Sequence, residues 1–184
     1  MNVSVSPATF TFVYFDPAII RRIAEDLVGP LGLGDREICI EVDETTPLAR
    51  INAVVGETIT IRADSGAFED TRRPRHQSET ATATSLGRIL YRISDRLHSG
   101  FAEAPPDDQL TLAQMAAWET YSVGRLERLG IPVNQQRWRY NFRNRHGFSD
   151  AGDGSFERLW SSDALTWGQL DSISQAAASG TQPA

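Results

Sequence analysis

The chain has 184 residues, of which 40% are hydrophobic and 23% are charged, and its formal net charge at pH 7 is −6. This size and composition are typical of one globular domain that buries about two-thirds of its unfolded surface. The negative charge excludes a protein that coats nucleic acid or an anionic membrane with a basic surface, because such proteins bind by releasing counterions at a positive face.

All 18 basic residues are arginine. The absence of lysine excludes a P-loop lysine, a Schiff base and a lysine general base. Cys39 is the only cysteine, and no Cys/His group has zinc-site spacing, as expected in a reducing compartment. No N-terminal signal pattern and no run of about 18 apolar residues is present. These features predict a cytoplasmic protein that does not span a membrane.

The first part of the chain predicts strands and one helix. Residues 9–15 are β-branched and aromatic, which favours a strand, and Asp16 then provides the N-cap of a helix that ends before Pro30. Residues 37–43 alternate between apolar and polar side chains, and the same pattern returns at residues 58–63. These two segments predict neighbouring, half-buried strands.

Residues 63–83 are polar and predict a long exposed loop. Its middle carries a basic cluster, Arg72, Arg73, Arg75 and His76. Long loops in compact domains are often functional.

Helices are predicted in the rest of the chain. An apolar stripe indicates one from Leu86 to Leu97, and a capping box at Thr111 opens another that ends at Gly130. A short helix over residues 155–160 and a last one capped at Thr166 follow, and residues 176–184 are expected to be disordered. The expected fold is a single α+β domain over residues 1–175, with a small mixed or antiparallel sheet packed against three to five helices.

The segment from Arg137 to Phe148 alternates aromatic residues with arginines, and no acid interrupts it. As a strand over residues 137–143, it would place Trp138, Tyr140 and Phe142 on one side and the arginines on the other. One interpretation is a groove in which arginines hold phosphates or carboxylates while the rings stack. The other is an amphipathic strand with its rings in the core and its arginines paired with acids, and the frequency of such packing favours it.

Two sets of residues are candidates for catalysis. His146 with Asp150 would form an imidazole oriented by a carboxylate, although no nucleophile can be assigned to it. Glu41 and Asp43 share one face of their strand, but an ion pair with Arg62 is the simpler expectation.

The segment Thr84-Ser85-Leu86-Gly87-Arg88 resembles the His-Glu-Leu-Gly-His zinc-binding helix of the zincin-type metallopeptidases. The predicted order of strand, helix, two strands, loop and helix is also similar to that fold. In this alignment, Thr84 and Arg88 stand where the two histidine ligands would be, and Ser85 stands in place of the glutamate base. None of the three suits zinc catalysis. The resemblance implies a zincin-like scaffold without the activity.

We therefore expect a non-enzymatic binding protein with arginine-rich surfaces that recognise an anionic partner, without a metal or a cofactor. That partner is an acidic protein surface, a phosphate ligand or a nucleic acid. The alternative is a hydrolase or transferase that uses His146 with Asp150, or the Glu41/Asp43 pair. The expected binding residues are Arg72, Arg73, Arg75, Arg137, Arg139, Tyr140, Arg143, Arg145 and His146.

Overall fold

The computed structural model describes residues 2–180. Contacts divide the chain into two compact units, Met1–Ser94 and Asp95–Ala184. The boundary lies inside one continuous helix, Glu79–Leu97, and the single domain over residues 1–175 stays a prediction.

The first unit is built on a mixed four-stranded sheet. Its elements are β1 (Asn2–Ser6), α1 (Pro17–Val28), β2 (Glu37–Asp43), β3 (Ile51–Val55), β4 (Thr58–Asp64), β5 (Glu69–Asp70), β6 (Arg73–Gln77) and most of α2 (Glu79–Leu97). The strand order is β1-β2-β4-β3, in which β1, β2 and β4 are parallel and β3 is antiparallel to β4. The expected α+β class with a mixed sheet is confirmed, as is the pairing of β2 with β4.

The alternating pattern of β2 and β4 separates a buried face of the sheet from a polar one. Ile38 and Ile40 on β2, and Ile59 and Ile61 on β4, are fully buried. On the other face, Arg62 Nε donates to Glu41 Oε2 at 2.8 Å, which confirms the expected ion pair.

The prediction of a strand at residues 9–15 is wrong. The first strand of the sheet is β1, which precedes this segment. Residues 9–15 form no ladder beyond an isolated bridge between Tyr14 and His76. The N–H groups of Thr11 and Phe12 donate instead to Oε2 of Glu44, at 2.7 and 2.6 Å. The apolar pattern of this segment reflects burial of Val13 and Phe15, not pairing in a sheet.

The prediction of a long loop at residues 63–83 is also wrong. This segment contains the antiparallel β5–β6 hairpin and the start of α2 at Glu79. Most of β6 is exposed, so it lacks the apolar alternation by which a strand is recognised in sequence.

The second unit is helical. It contains the end of α2, then α3 (Leu112–Arg128), α4 (Gln135–His146), α5 (Asp150–Ser161) and α6 (Trp167–Ser179). The capping boxes at Thr111 and Thr166 are present, as predicted. Helix α3 packs closely on α5 at Gly124, where an added Cβ would overlap the carbonyl oxygen of Trp160.

The possible strand at residues 137–143 is wrong, because this segment belongs to helix α4. The Asn134 side chain accepts from the N–H of Arg137 and caps the helix, which ends at Gly147 with a positive φ of 99°. Phe142 and His146, four residues apart, are the buried positions, so burial follows helical periodicity.

The last two helices also differ from the prediction. Helix α5 begins at Asp150 instead of residue 155, because Ser149 is its N-cap. Helix α6 extends into the expected tail as far as Ser179, since Ala177 is buried, whereas residues 181–184 lie outside the described residues. Within residues 2–180, the helices are too short or too polar to span a lipid bilayer.

A buried ion pair lies at the centre of the helical unit. Both terminal nitrogens of Arg125 on α3 donate to the carboxylate of Asp95, at 2.8 and 2.7 Å, and the two side chains are only 10% and 8% exposed. Trp118 Nε1 donates to the same carboxylate at 2.7 Å, and the guanidinium lies 3.7 Å from the ring centre of Tyr121. The bidentate geometry satisfies charges that would be costly to bury alone.

We expect Arg125→Ala to lower the free energy of unfolding by about 3–5 kcal/mol, because it leaves the Asp95 carboxylate buried without its counter-ion. Urea denaturation measures this loss. Arg62→Ala removes an ion pair exposed to solvent and is the control, with an expected change of under about 1 kcal/mol. Equal effects of the two substitutions would contradict the role assigned to the buried pair.

Candidate functional site

The arginines within residues 2–180 differ in their contacts. Ion pairs with carboxylates are formed by Arg22, Arg50, Arg62, Arg96, Arg125, Arg128, Arg139 and Arg143, and Arg88, Arg92 and Arg158 also have interaction partners. Within residues 2–180, the arginines whose side chains have no partner are Arg21, Arg36, Arg72, Arg73, Arg75, Arg137 and Arg145. All but the first two belong to the segments predicted to bind an anion.

Arg72, Arg73 and Arg75, here called the hairpin arginines, are all exposed on the β5–β6 hairpin. The two acids of β5 do not pair with them. Asp70 Oδ1 accepts from the backbone N–H of Arg72 at 2.9 Å, and Glu69 Oε1 accepts from the backbone N–H of Arg75. These carboxylates hold the backbone of the hairpin and leave its guanidinium groups unpaired.

Arg75 has a positive φ of 66°. This left-handed conformation costs an L-residue roughly 1–2 kcal/mol and is the normal place for glycine. Two backbone contacts hold Arg75 there, the N–H bond to Glu69 and a 2.7 Å hydrogen bond from Tyr14 N to the carbonyl oxygen of Arg75. Strained residues of this kind cluster at active sites and ligand-binding segments.

Two exposed aromatic side chains lie beside the hairpin. Phe12 is 62% exposed and Tyr14 is 73% exposed. The Tyr14 ring packs against His76 in a tilted arrangement, with the ring centres 4.8 Å apart. Phe12 and Arg75 line a cavity of about 300 Å³, together with Glu44 and Glu69.

Glu44 holds the aromatic segment in place. Its carboxylate accepts from the backbone N–H groups of Phe12 and Thr11, and these hydrogen bonds lower its pKa. Glu44 therefore remains ionised at neutral pH. Its position 33 residues after Thr11 hides this contact from any local sequence pattern, which is why sequence analysis missed Phe12 and Tyr14 as site residues.

Helix α4 leaves fewer arginines free than its sequence suggests. Arg139 pairs with Glu157 over the Phe156 ring, and Arg143 makes a bidentate ion pair with Asp153. The exposed arginines that remain are Arg137 and Arg145, here called the α4 arginines. Tyr140 is 58% exposed and packs edge-on against Phe148.

His146 is 5% exposed and cannot bind a partner at the surface, contrary to expectation. Its Nδ1 lies 3.1 Å from the carbonyl oxygen of Phe142, and its Nε2 lies 2.9 Å from Ser174 Oγ. The simplest proton arrangement has Nδ1–H donating to the carbonyl and Ser174 donating to Nε2. Asp150 is not one of its partners. The described contacts therefore support a structural histidine, and Ser174, which sequence analysis missed, is 2% exposed.

The Glu41/Asp43 pair borders a cavity of about 570 Å³ at the carboxyl ends of β2 and β4, where Arg50 and Arg62 also lie. Its charges are already engaged. Glu41 pairs with Arg62, whereas Asp43 accepts hydrogen bonds from Thr45 and Thr46 that lower its pKa to about 2. A carboxyl group with so low a pKa is a poor general acid or base near neutral pH.

The residues that resemble the zinc-binding helix lie in α2. Thr84 Oγ1 donates to the carbonyl oxygen of Thr80, and Ser85 Oγ donates to that of Ala67. Among the described residues, no group of three or more His, Cys, Asp or Glu side chains is placed to share a metal ion.

Comparisons with protein-family models, with curated proteins and with solved structures found no match for this chain.

We expect acid to destabilise the protein through His146. Burial lowers the pKa of His146 in the folded protein. Below about pH 6.5, where a free imidazole takes up its proton, the unfolded chain therefore binds this proton more readily than the folded one. The stabilising contribution is complete above that pH and is lost as pH falls. Urea denaturation at pH 5.5 and 7.5 should show a larger loss for the wild type than for His146→Gln, by about 1 kcal/mol. Identical pH dependence in both proteins would contradict a buried neutral imidazole.

We expect Arg75→Gly to be more stable than Arg75→Ala by up to about 1 kcal/mol, because glycine adopts a positive φ without strain and alanine does not. The greater conformational entropy of glycine in the unfolded chain offsets part of this difference. Arg73, in the same strand without a positive φ, provides the matched control. There, the glycine variant should be the less stable of the two. Thermal unfolding of the four variants tests this, and the same order at both positions would contradict the strain at Arg75.

Proposed function

We propose that the chain is a non-enzymatic binding protein, on a scaffold that resembles the zincins, and that its hairpin arginines recognise an anionic partner. The observation that carries this proposal is that these arginines have no side-chain partner, although two acids lie in the same hairpin. Unpaired guanidinium groups on a fixed backbone are suited to bidentate contacts with carboxylate or phosphate.

Recognition at the hairpin depends on contact more than on long-range attraction. Three acids, Glu44, Glu69 and Asp70, lie close to the three hairpin arginines, so acidic and basic side chains are nearly equal in number there. Long-range steering needs an excess of one sign, whereas short charge-assisted hydrogen bonds do not. We therefore propose a partner that places its anionic groups directly on the guanidinium forks.

The α4 arginines form a second, smaller surface of the same chemistry. Arg137 and Arg145 are exposed and unpaired, and the exposed Tyr140 ring lies on the same helix. Arg139 and Arg143 support this helix through their ion pairs, so we assign them a structural role and exclude them from the binding set.

The enzymatic alternative ranks behind binding. The imidazole of His146 and the hydroxyl of Ser174 are within hydrogen-bond distance, as a base and a nucleophile would be. Both are almost fully buried, however, so a substrate has no direct access to either group.

Fluorescence anisotropy at 50 mM salt tests the proposal with labelled polyglutamate, inorganic polyphosphate and an oligonucleotide as probes. We expect Arg72→Ala/Arg73→Ala/Arg75→Ala to weaken binding of the preferred probe about tenfold or more, because charge-assisted contacts are lost. The variant Arg137→Ala/Arg145→Ala measures how much of the binding affinity comes from the α4 arginines.

Arg21→Ala/Arg36→Ala is the control for charge alone, because both arginines are unpaired and lie outside the two surfaces. We expect it to change affinity less than about twofold. Failure of all three probes to bind, or an equal loss in the control, would refute the proposal.

A further inference from the structure

We propose that the partner of the hairpin is a single-stranded nucleic acid, whose bases contact Phe12 and Tyr14 and whose phosphates contact the hairpin arginines. This inference rests on the proposed function and specifies its partner. The inference is based on the aromatic rings beside the arginines. An acidic peptide or an inorganic phosphate would contact the arginines but would not stack on these rings.

The rings and the arginines are connected through the backbone. Tyr14 N donates to the carbonyl oxygen of Arg75 at 2.7 Å, and the Tyr14 ring packs at a tilt against His76, the next residue of β6. Glu44 fixes the backbone of Phe12 in turn. The two exposed rings are thus held at the same hairpin as the guanidinium groups, and neither needs a large rearrangement to contact a ligand.

Exposed rings next to arginines match the chemistry of single strands. The bases of a single strand are accessible for stacking on aromatic side chains, while its phosphates accept hydrogen bonds from arginine. A duplex hides the faces of its bases, and its dense backbone charge favours a protein with a strongly positive face. The nearly balanced charge around the hairpin therefore favours a single strand over a duplex.

The cavity between Phe12 and Arg75 is suited to a base and not to a phosphate. Its lining includes the carboxylates of Glu44 and Glu69. A phosphate there would be repelled, whereas the amino and imino N–H groups of a base can donate to the remaining lone pairs of these carboxylates. A base in the cavity would contact the Phe12 ring and the Arg75 guanidinium, with the flanking phosphates on Arg72 and Arg73.

The conformation of Arg75 agrees with this arrangement. A glycine at a φ of 66° would avoid the strain of the left-handed region, but it would remove the guanidinium that lines the cavity. Arg75→Gly should therefore bind a single strand more weakly than the wild type, even if its backbone is relaxed.

The affinity of labelled 12-residue oligo(U) and oligo(dT), measured from 25 to 200 mM salt, tests the inference. Contacts from three arginines predict a slope of log K against log salt of about −2. We expect Phe12→Ala/Tyr14→Ala to weaken binding about tenfold or more with this slope unchanged, because stacking is lost while phosphate contacts remain. Leu112→Ala/Leu129→Ala removes two exposed apolar side chains outside both proposed surfaces and should leave affinity within about twofold.

Polyglutamate and a 12-base-pair duplex distinguish this inference from the proposed function. If either binds as tightly as the single strands, or if the Phe12/Tyr14 variant binds oligonucleotides normally, the inference fails while arginine-based recognition stands. If no polyanion binds, both fail.

Crosslinking of a 4-thiouridine oligonucleotide to the wild-type protein gives an answer even if the double variant does not fold. Adducts at residues 12–14 or 72–76 are expected, and adducts confined to other residues would overturn the inference.

Discussion

The candidate site depends on one kind of interaction, the hydrogen bond from a backbone amide to a carboxylate. The carboxylates that accept these hydrogen bonds do not pair with arginines. Glu44 binds the N–H groups of Thr11 and Phe12, and Glu69 and Asp70 bind those of Arg75 and Arg72. These contacts fix a segment that belongs to no sheet and a short hairpin whose strands are mostly polar. They also consume the acids that would otherwise neutralise the hairpin arginines through direct ion pairs. The same interactions therefore explain both the local structure and the chemistry that remains available.

The rest of the chain uses arginine differently, although every basic residue is of this type. Arg125 is buried against Asp95, where it organises the helical unit around Trp118 and Tyr121. On α4, Arg139 and Arg143 are half-buried and pair with acids of α5. In each case, a carboxylate and a nearby ring decide the role of the guanidinium. Within the two basic segments, we assign to recognition only the arginines that lack such a carboxylate, namely Arg72, Arg73, Arg75, Arg137 and Arg145.

Sequence patterns predicted the features that depend on near neighbours. The caps at Asp16, Thr111 and Thr166 and the buried alternation of β2 are confirmed, because each is set by residues within a few positions. The wrong secondary-structure predictions arise where contacts between distant residues decide the structure, or where the periodicity of apolar side chains fits both a strand and a helix. Residues 137–143 alternate like a strand, yet the Asn134 cap and the burial of Phe142 and His146 make them helical. At the site, the hairpin arginines were predicted from composition, whereas the exposed rings of Phe12 and Tyr14 were not, since their placement depends on Glu44.

The most direct test is a titration with a single-stranded oligonucleotide, in which nuclear magnetic resonance follows the signals of the arginine Nε–H groups. It asks whether the unpaired hairpin arginines, and not the paired ones, bind the oligonucleotide. The account predicts that the signals of Arg72, Arg73 and Arg75 shift in proportion to the bound fraction, while those of Arg125, Arg139 and Arg143 stay in place because their carboxylate partners hold them. Shifts confined to the paired arginines, or no shift in the hairpin at saturating oligonucleotide, would contradict it.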